Sequence, residues 1–147
     1  MRDKTILLVE DNGDDAELTL LAFKASNVAN PIKVVRDGAE ALDYFFGEGA
    51  YAGRDLTAMP ILVLLDLNLP KVNGLEVLSR LRAHPRTKRI PVIILTTSHE
   101  QQEISTAYDT GCNSYVRKPV DSAQFRDAVK QLGLYWLVHN VPPPGCS

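Results

Sequence analysis

Five short apolar runs alternate along the chain with segments of helical periodicity. The runs predict β-strands at Thr5–Val9, Ile32–Val35, Ile61–Leu65, Val92–Thr96 and Ser114–Val116. Most are continuous stretches of Val, Ile and Leu, which is typical of parallel strands that are covered on both faces. Strict alternation of strands and helices requires right-handed crossovers. The sequence therefore predicts an α/β fold, a doubly wound parallel sheet between two layers of helices.

The intervening helices are predicted from apolar residues that recur at intervals of three and four. The stripes are Leu18, Leu21, Ala22 and Ala25 in the first helix, Val77, Leu78 and Leu81 in a middle helix, Ile104, Ala107 and Tyr108 in the next, and Phe125, Ala128, Val129, Leu132 and Trp136 in the last. The glycine-rich segment 47–60 is predicted to be a surface loop. We assign it no chemistry.

The composition is that of an ordinary globular domain and excludes several functions. A chain of 147 residues suffices for one domain with a sizeable core. We place that domain at residues 1–138, followed by an extended proline-rich tail at 139–147 and by no separate output domain. A net charge of −2 gives no bulk support for nucleic-acid binding. Neither a membrane span nor a secretory signal is evident, so we expect a cytoplasmic protein.

Carboxylates follow two of the predicted strands directly. Asp66 ends one apolar run, and Glu10 and Asp11 end another. The carboxyl ends of strands form the ligand-binding edge of an open α/β sheet, so these acids predict a shared pocket. Two carboxylates about 5 Å apart repel by roughly 3 kcal/mol at an effective dielectric near 20. A divalent cation such as Mg²⁺ relieves that repulsion. The alternative for Glu10 and Asp11 is to cap the next helix.

A hydroxyl and an ammonium are predicted at the same edge of the sheet. The fourth run ends in Thr96, and Lys118 follows the fifth. A carboxylate nucleophile, a cation site, a hydroxyl donor and a lysine together suit a transferred phosphoryl group, whose charge must be neutralised as it moves. Each residue alone has an ordinary structural explanation. Their joint placement at strand ends is what favours phosphoryl chemistry.

With these residues in place, the chain resembles the receiver domain of two-component response regulators. The resemblance spans about Thr5 to Leu132. It depends on the sequence intervals from Asp66 to Thr96 and from Thr96 to Lys118. The residues that carry it are Glu10, Asp11, Asp66, Gly74, Thr96, Tyr115, Lys118 and Pro119. It implies a flavodoxin-like (βα)5 fold with strand order 2-1-3-4-5. Where the family often has two aspartates, this chain has Glu10 and Asp11, a change that keeps the cation site.

The resemblance also implies a chemistry. Asp66 would be the phosphoacceptor, taking the phosphoryl group from a phosphohistidine on a sensor histidine kinase. Glu10, Asp11, Asp66 and the backbone carbonyl of Asn68 would hold Mg²⁺, Glu10 through water. Lys118 would pair with a phosphoryl oxygen. The protein would catalyse its own phosphorylation and dephosphorylation without being an enzyme that turns over a metabolite.

A switch is implied as well. The hydroxyl of Thr96 would be drawn towards the phosphoryl group, and Tyr115 would turn into the space that it leaves. The face formed by the fourth helix, the fifth strand and the last helix would then report phosphorylation. The family usually has a cis peptide bond where this chain has Lys118–Pro119.

Three segments are similar to stand-alone response regulators of bacterial phytochrome kinases. They are Asp66–Lys71, Ile94–His99 and Leu134–Leu137. This subgroup includes dimers, so a homodimer through the switch face and the C-terminal apolar segment is expected. Direct binding to nucleic acid or to a membrane is not.

Two other functions compete with this interpretation. A haloacid-dehalogenase-type phosphatase needs a second aspartate two residues after its nucleophile, where this chain has Asn68. A receiver-like interaction module that works without phosphorylation stays open, although the complete set of site residues argues against it. The basic stretch Arg80, Arg82, Arg86, Lys88 and Arg89 is predicted to be a solvated helix end and loop rather than a nucleic-acid site.

Overall fold

Strands and helices alternate along the chain, as the sequence predicted. The structure is a computed structural model, and it describes residues 5–25, 30–97, 100–118, 123, 124, 127, 128, 130 and 131. The elements are β1 (Ile6–Val9), α1 (Gly13–Ala25), β2 (Ile32–Val35), α2 (Gly38–Phe46), a 3₁₀ turn (Gly49–Tyr51), β3 (Leu62–Leu65), α3 (Gly74–Ala83), β4 (Val92–Thr96), α4 (Gln101–Thr110) and β5 (Ser114–Arg117). Every strand lies within one residue of its predicted bounds.

The five strands form one parallel sheet with the order β2-β1-β3-β4-β5. The predicted α/β fold and strand order are therefore confirmed. The central strands β1, β3 and β4 are buried along their whole length, whereas the edge strands β2 and β5 are only partly buried. Burial on both faces explains why the central strands are apolar up to Thr96, the last residue of β4.

Successive residues of each strand contribute to two separate cores. Leu7 and Val9 of β1 pack in the core that includes residues of α2, α3 and α4. Ile6 and Leu8 pack in the opposite core, which includes residues of α1. This alternation follows from the two-residue period of a strand. The sheet is thus covered on both faces, which leaves the strand ends as its accessible edges.

The predicted apolar stripe of α1 is wrong at two positions. Leu21 is 51% exposed and Ala25 is also exposed, whereas Thr19 and Phe23 are buried. The hydroxyl of Thr19 donates to the backbone carbonyl of Asp15 at 2.8 Å. Because that bond satisfies the hydroxyl, threonine can replace leucine on the buried face. Hydropathy alone predicts a buried Leu21 and an exposed Thr19, the opposite of what the structure shows.

The later helices agree better with their predicted stripes. Val77, Leu78 and Leu81 of α3 are fully buried, as predicted. In α4, Ala107 is buried but Tyr108 is 50% exposed, so that part of the stripe is wrong. The Tyr108 hydroxyl accepts the backbone N–H of Tyr115 at 3.2 Å, which keeps its polar end at the surface.

Several predictions lie outside the described residues. They concern the Lys118–Pro119 peptide bond, the residues Phe125, Val129, Leu132 and Trp136 of the last helix, the C-terminal apolar segment and the proline-rich tail. Within the described part of the chain, no helix is long and apolar enough to cross a bilayer.

Arg82 departs from the predicted solvated role of the basic stretch. Its guanidinium donates to the carbonyls of Gly111 at 2.8 Å and Ile90 at 2.9 Å, and to Asn113 Oδ1 at 3.0 Å. Further donations reach the carbonyls of Thr87 and Lys88. Arg82 therefore ties the end of α3 to the end of α4 and to the loop before β4.

Candidate functional site

The sheet register brings the predicted acidic residues to one edge. Val9 of β1 is aligned with Leu65 of β3, so Glu10 and Asp66 leave the sheet at the same level. The backbone N–H of Asp66 donates to the carbonyl of Val9 at 3.1 Å, which continues the ladder to Asp66 itself. Both carboxylates are therefore positioned by hydrogen-bonded strand ends.

Three carboxylates form the predicted acidic pocket. One oxygen from each of Glu10, Asp11 and Asp66 lies within 4.8 Å of the other two. Glu10 is 1% exposed and Asp66 is 7% exposed, whereas Asp11 faces solvent. Converging carboxylate oxygens with one open side are the donor set that Mg²⁺ prefers, since this ion keeps several waters. The residues present fit the predicted cation.

The Lys118 ammonium lies among three carboxylates. Its Nζ is 3.0 Å from Asp66 Oδ2 and 3.0 Å from Asp15 Oδ2, and it also contacts Glu10 Oε1. The Lys118 side chain is only 4% exposed. Its own backbone N–H donates to the Thr96 carbonyl at 2.7 Å, which fixes the chain where β5 ends.

Burial and charge oppose each other in this cluster. Burial raises the pKa of Glu10 to about 7 against the opposing effect of the Lys118 ammonium, and the charge of Asp66 adds to the rise. Burial by itself would lower the pKa of Lys118. The hydrogen bond with Glu10 and the charges of Asp66 and Glu10 outweigh it and hold that pKa above its ordinary value. Lys118 is therefore a cation at any physiological pH.

The loop after β3 holds the Asp66 side chain and links it to Thr96. The backbone N–H of Asn68 donates to Asp66 Oδ1 at 3.0 Å. The Asn68 side-chain amide donates to Thr96 Oγ1 at 3.4 Å. Thr96 is fully buried, so its hydroxyl occupies a dry position behind the pocket. Sequence reasoning placed Thr96 at this edge but missed its connection to Asn68.

The proposed capping role of Glu10 and Asp11 is wrong, because Asn12 caps α1. Asn12 Oδ1 accepts the backbone N–H groups of Asp14 and Asp15, each at 3.0 Å. Glu10 turns inward and accepts the backbone N–H of Asn12 at 3.2 Å. A cap supplied by the next residue leaves the acidic pair available for the pocket.

Gly74 allows α3 to begin close to Asp66. A Cβ at this position would lie 2.3 Å from the Asp66 carbonyl oxygen and 2.7 Å from Leu67 Cα. Its backbone N–H donates to the Leu67 carbonyl at 3.0 Å. Only a residue without a side chain fits, which explains the glycine at the start of α3.

Tyr115 lies on β5, two residues before this strand ends at Arg117. It is aligned with Ile94 of β4, two residues before Thr96, and is partly buried against the core that includes α4 residues. Because residues two apart on a strand share a face, Tyr115 and Thr96 lie on the same face of neighbouring strands. Asp15, by contrast, is a pocket residue that sequence reasoning missed.

Comparison with known proteins gives the class to which this site belongs. The response regulator receiver domain matches residues 6–130. The chain therefore belongs to the response regulator receiver domain family, whose members are phosphoacceptors of two-component signalling rather than metabolic enzymes.

Individual relatives resemble the chain over nearly their whole length. The phosphorylated cyanobacterial phytochrome response regulator RcpA superposes with a TM-score of 0.88 and 41% identity, covering 95% of this chain and 98% of that one. Response regulator Rcp1 of Synechocystis is 37% identical over 91% of this chain and 89% of its own length. Its Mn²⁺-bound structure gives a TM-score of 0.88, at 36% identity and with 95% and 99% of the two chains covered. The probable methanogenesis regulatory protein FilR2 of Methanothrix harundinacea is 43% identical over 94% of this chain and 86% of its own.

Proposed function

We propose that the protein accepts a phosphoryl group on Asp66 from the phosphohistidine of a sensor histidine kinase. The observation that supports this most directly is the setting of the Asp66 carboxylate. It is 7% exposed, lies in the three-carboxylate pocket, and has the Lys118 ammonium 3.0 Å from Oδ2. A strand end arranged in this way presents a nucleophile beside a fixed positive charge.

In the proposed reaction, an Asp66 oxygen attacks phosphorus and forms a P–O bond while the P–N bond to the kinase imidazole breaks. The imidazole keeps the electron pair of that bond and takes up a proton. Asp66 Oδ1 accepts a hydrogen bond from the Asn68 N–H at 3.0 Å, which holds the carboxylate in one orientation. Glu10, Asp11, Asp66 and the Asn68 carbonyl would hold Mg²⁺, which would neutralise phosphoryl charge. Lys118 would pair with a phosphoryl oxygen.

The same geometry supports a route for the signal. The Thr96 hydroxyl, which now accepts from the Asn68 amide at 3.4 Å, would turn to donate to a phosphoryl oxygen. Tyr115 lies on the same face of the next strand and would move into the vacated space. The face of α4, β5 and the last helix would change as a result.

We assign the upstream partner to the phytochrome class of histidine kinases. The support is the similarity to RcpA and Rcp1 across nearly all of this chain. In this assignment residues 1–138 are the receiver domain, residues 139–147 are a tail, and the receiver domain acts by binding a partner. A homodimer through the switch face and the C-terminal apolar segment is part of the proposal. Sedimentation velocity across a concentration range, with and without beryllofluoride, tests it.

The proposal is tested with Asp66→Asn and a small phosphodonor in the presence of Mg²⁺. We expect the wild type and the control Asp109→Asn, which changes an exposed acid of α4, to shift on a phosphate-affinity gel. Asp66→Asn should not shift. A gel shift of Asp66→Asn equal to that of the wild type would refute the assignment of Asp66 as the phosphoacceptor. A wild type that never shifts, with any donor or kinase, would favour the phosphorylation-independent module.

A further inference from the structure

Asp15 is a carboxylate of the pocket that the proposed phosphoryl chemistry does not use. It lies in the first turn of α1, and its Oδ2 is 3.0 Å from Lys118 Nζ, the same distance as Asp66 Oδ2. The side chain of Asp15 is 28% exposed, compared with 2% for Glu10 and 8% for Asp66. Asp15 therefore contacts the ammonium from its solvent side.

The backbone on both sides of Asp15 is anchored. Its N–H donates to Asn12 Oδ1 at 3.0 Å, and its carbonyl accepts the hydroxyl of the buried Thr19 at 2.8 Å. The contact with Lys118 spans 103 positions of sequence. The anchored backbone keeps the Asp15 carboxylate within reach of Lys118, so this contact belongs to the architecture of the pocket.

The hydrogen bonds of the ammonium are fully used. A lysine ammonium has three N–H donors and no acceptor. Glu10, Asp15 and Asp66 each take one. A phosphoryl oxygen on Asp66 can be bound by Lys118 only if one of these three carboxylates releases its donor. Asp15 is the one that water can solvate after release, because it is the most exposed of the three.

We propose that Asp15 is a positioning residue that holds the Lys118 ammonium towards α1 in the unphosphorylated protein and thereby restrains phosphoryl acceptance. The inference rests on the proposed function and deepens it. Asp15 opposes the reaction in two ways, by competing for the donor and by repelling the incoming negative group. Removing its charge should free the Lys118 ammonium for a phosphoryl oxygen and favour the phosphorylated state, while Asp66 and the cation ligands stay unchanged.

The test measures the affinity for beryllofluoride, a phosphoryl mimic, by fluorine NMR on the full chain at saturating Mg²⁺. Asp15→Asn should tighten binding about fivefold, the effect expected for an ion pair at the edge of solvent. Asp15→Glu restores the carboxylate and should return the affinity to that of the wild type. Asp14→Asn is the matched control, because it removes the same charge from an exposed neighbour in the same helical turn. It should leave the affinity unchanged.

The outcomes separate the two proposals. If the wild type binds beryllofluoride and Asp66→Asn does not, the proposed function stands. If Asp15→Asn then binds beryllofluoride no more tightly than the wild type, the proposal that Asp15 restrains phosphoryl acceptance is overturned. Equal tightening by Asp14→Asn and Asp15→Asn would indicate a general charge effect and would also overturn it. A wild type that binds no beryllofluoride rejects the proposed function itself. Urea unfolding of each variant verifies that the fold is retained.

Discussion

Lys118→Met removes the ammonium of the pocket while keeping most of the side-chain volume. The wild-type Nζ contacts Glu10, Asp15 and Asp66, the last two at 3.0 Å, and is 4% exposed. Removing one partner of a buried ion pair costs about 3–5 kcal/mol. Asp15 can be hydrated and Glu10 can take up a proton, so we expect a loss near the lower limit, about 3 kcal/mol. In a chain of this size that lowers Tm by about 6–12 °C.

The loss should depend on pH and on Mg²⁺. The pKa of Glu10 is raised from 4.5 to about 7 in the folded protein, so its contribution to stability is present below pH 4.5 and lost as pH rises through 7. Without the ammonium this pKa rises further, and the deficit should therefore be smaller at pH 6 than at pH 8. Mg²⁺ replaces the missing charge, so it should stabilise the variant more than the wild type.

Urea unfolding followed by circular dichroism measures these differences at both pH values, with Mg²⁺ or with a chelator. Lys88→Met is the matched control, because Lys88 is exposed in the loop before β4. It should change stability by less than about 0.5 kcal/mol. If Lys118→Met is as stable as Lys88→Met at pH 8 without Mg²⁺, the charge balance argued for the pocket is wrong.

Two further substitutions test the surrounding architecture by urea unfolding. Gly74→Ala places a methyl group 2.3 Å from the Asp66 carbonyl oxygen and should destabilise the fold by about 2–3 kcal/mol. Gly13→Ala is the control, because its methyl group would lie 3.7 Å from the nearest neighbour at another helix start, and it should be neutral or stabilising. Equal stability of the two variants would contradict the close approach of Gly74 to Asp66. Arg82→Met removes the guanidinium donor from the partly buried carbonyls of Gly111 and Ile90 and should cost about 2–4 kcal/mol. Arg80→Met, which loses an exposed pair with Glu76 one turn away, should cost less than about 1 kcal/mol, and similar losses for both arginine variants would remove the structural role of Arg82.

The sheet and the pocket edge could be predicted because their signals are local. Central strands of a parallel sheet are buried on both faces, so Ile61–Leu65 is apolar throughout and Asp66 marks the point where the chain leaves the core. Parallel strands all present their carboxyl ends to one edge. The placement of Glu10, Thr96 and Lys118 at the same edge as Asp66 therefore follows from topology.

Hydropathy could not predict which polar side chains have their hydrogen bonds satisfied by other groups of the protein. Thr19 is buried and Leu21 exposed because the Thr19 hydroxyl has an acceptor in the preceding turn of α1. Arg82 belongs to a basic stretch in the sequence, yet its donors are used by carbonyls that only the folded chain gathers around it. The order of residue types along the chain does not tell a buried Thr19 from an exposed one, or a hydrogen-bonded Arg82 from a solvated one.

The family resemblance implied the strand order. The pattern of residues along the chain was enough to predict the layered sheet and the edge at which acids, a hydroxyl and an ammonium meet. Those features follow from periodicity and from the direction of parallel strands. The position of Asp15 beside Glu10 and Asp66 became visible in the folded chain alone, because its contact with Lys118 spans 103 positions of sequence. Hydrogen bonds of an ammonium depend on distances of about 3 Å, and such distances are set by the packing of α1 against the sheet rather than by residue order.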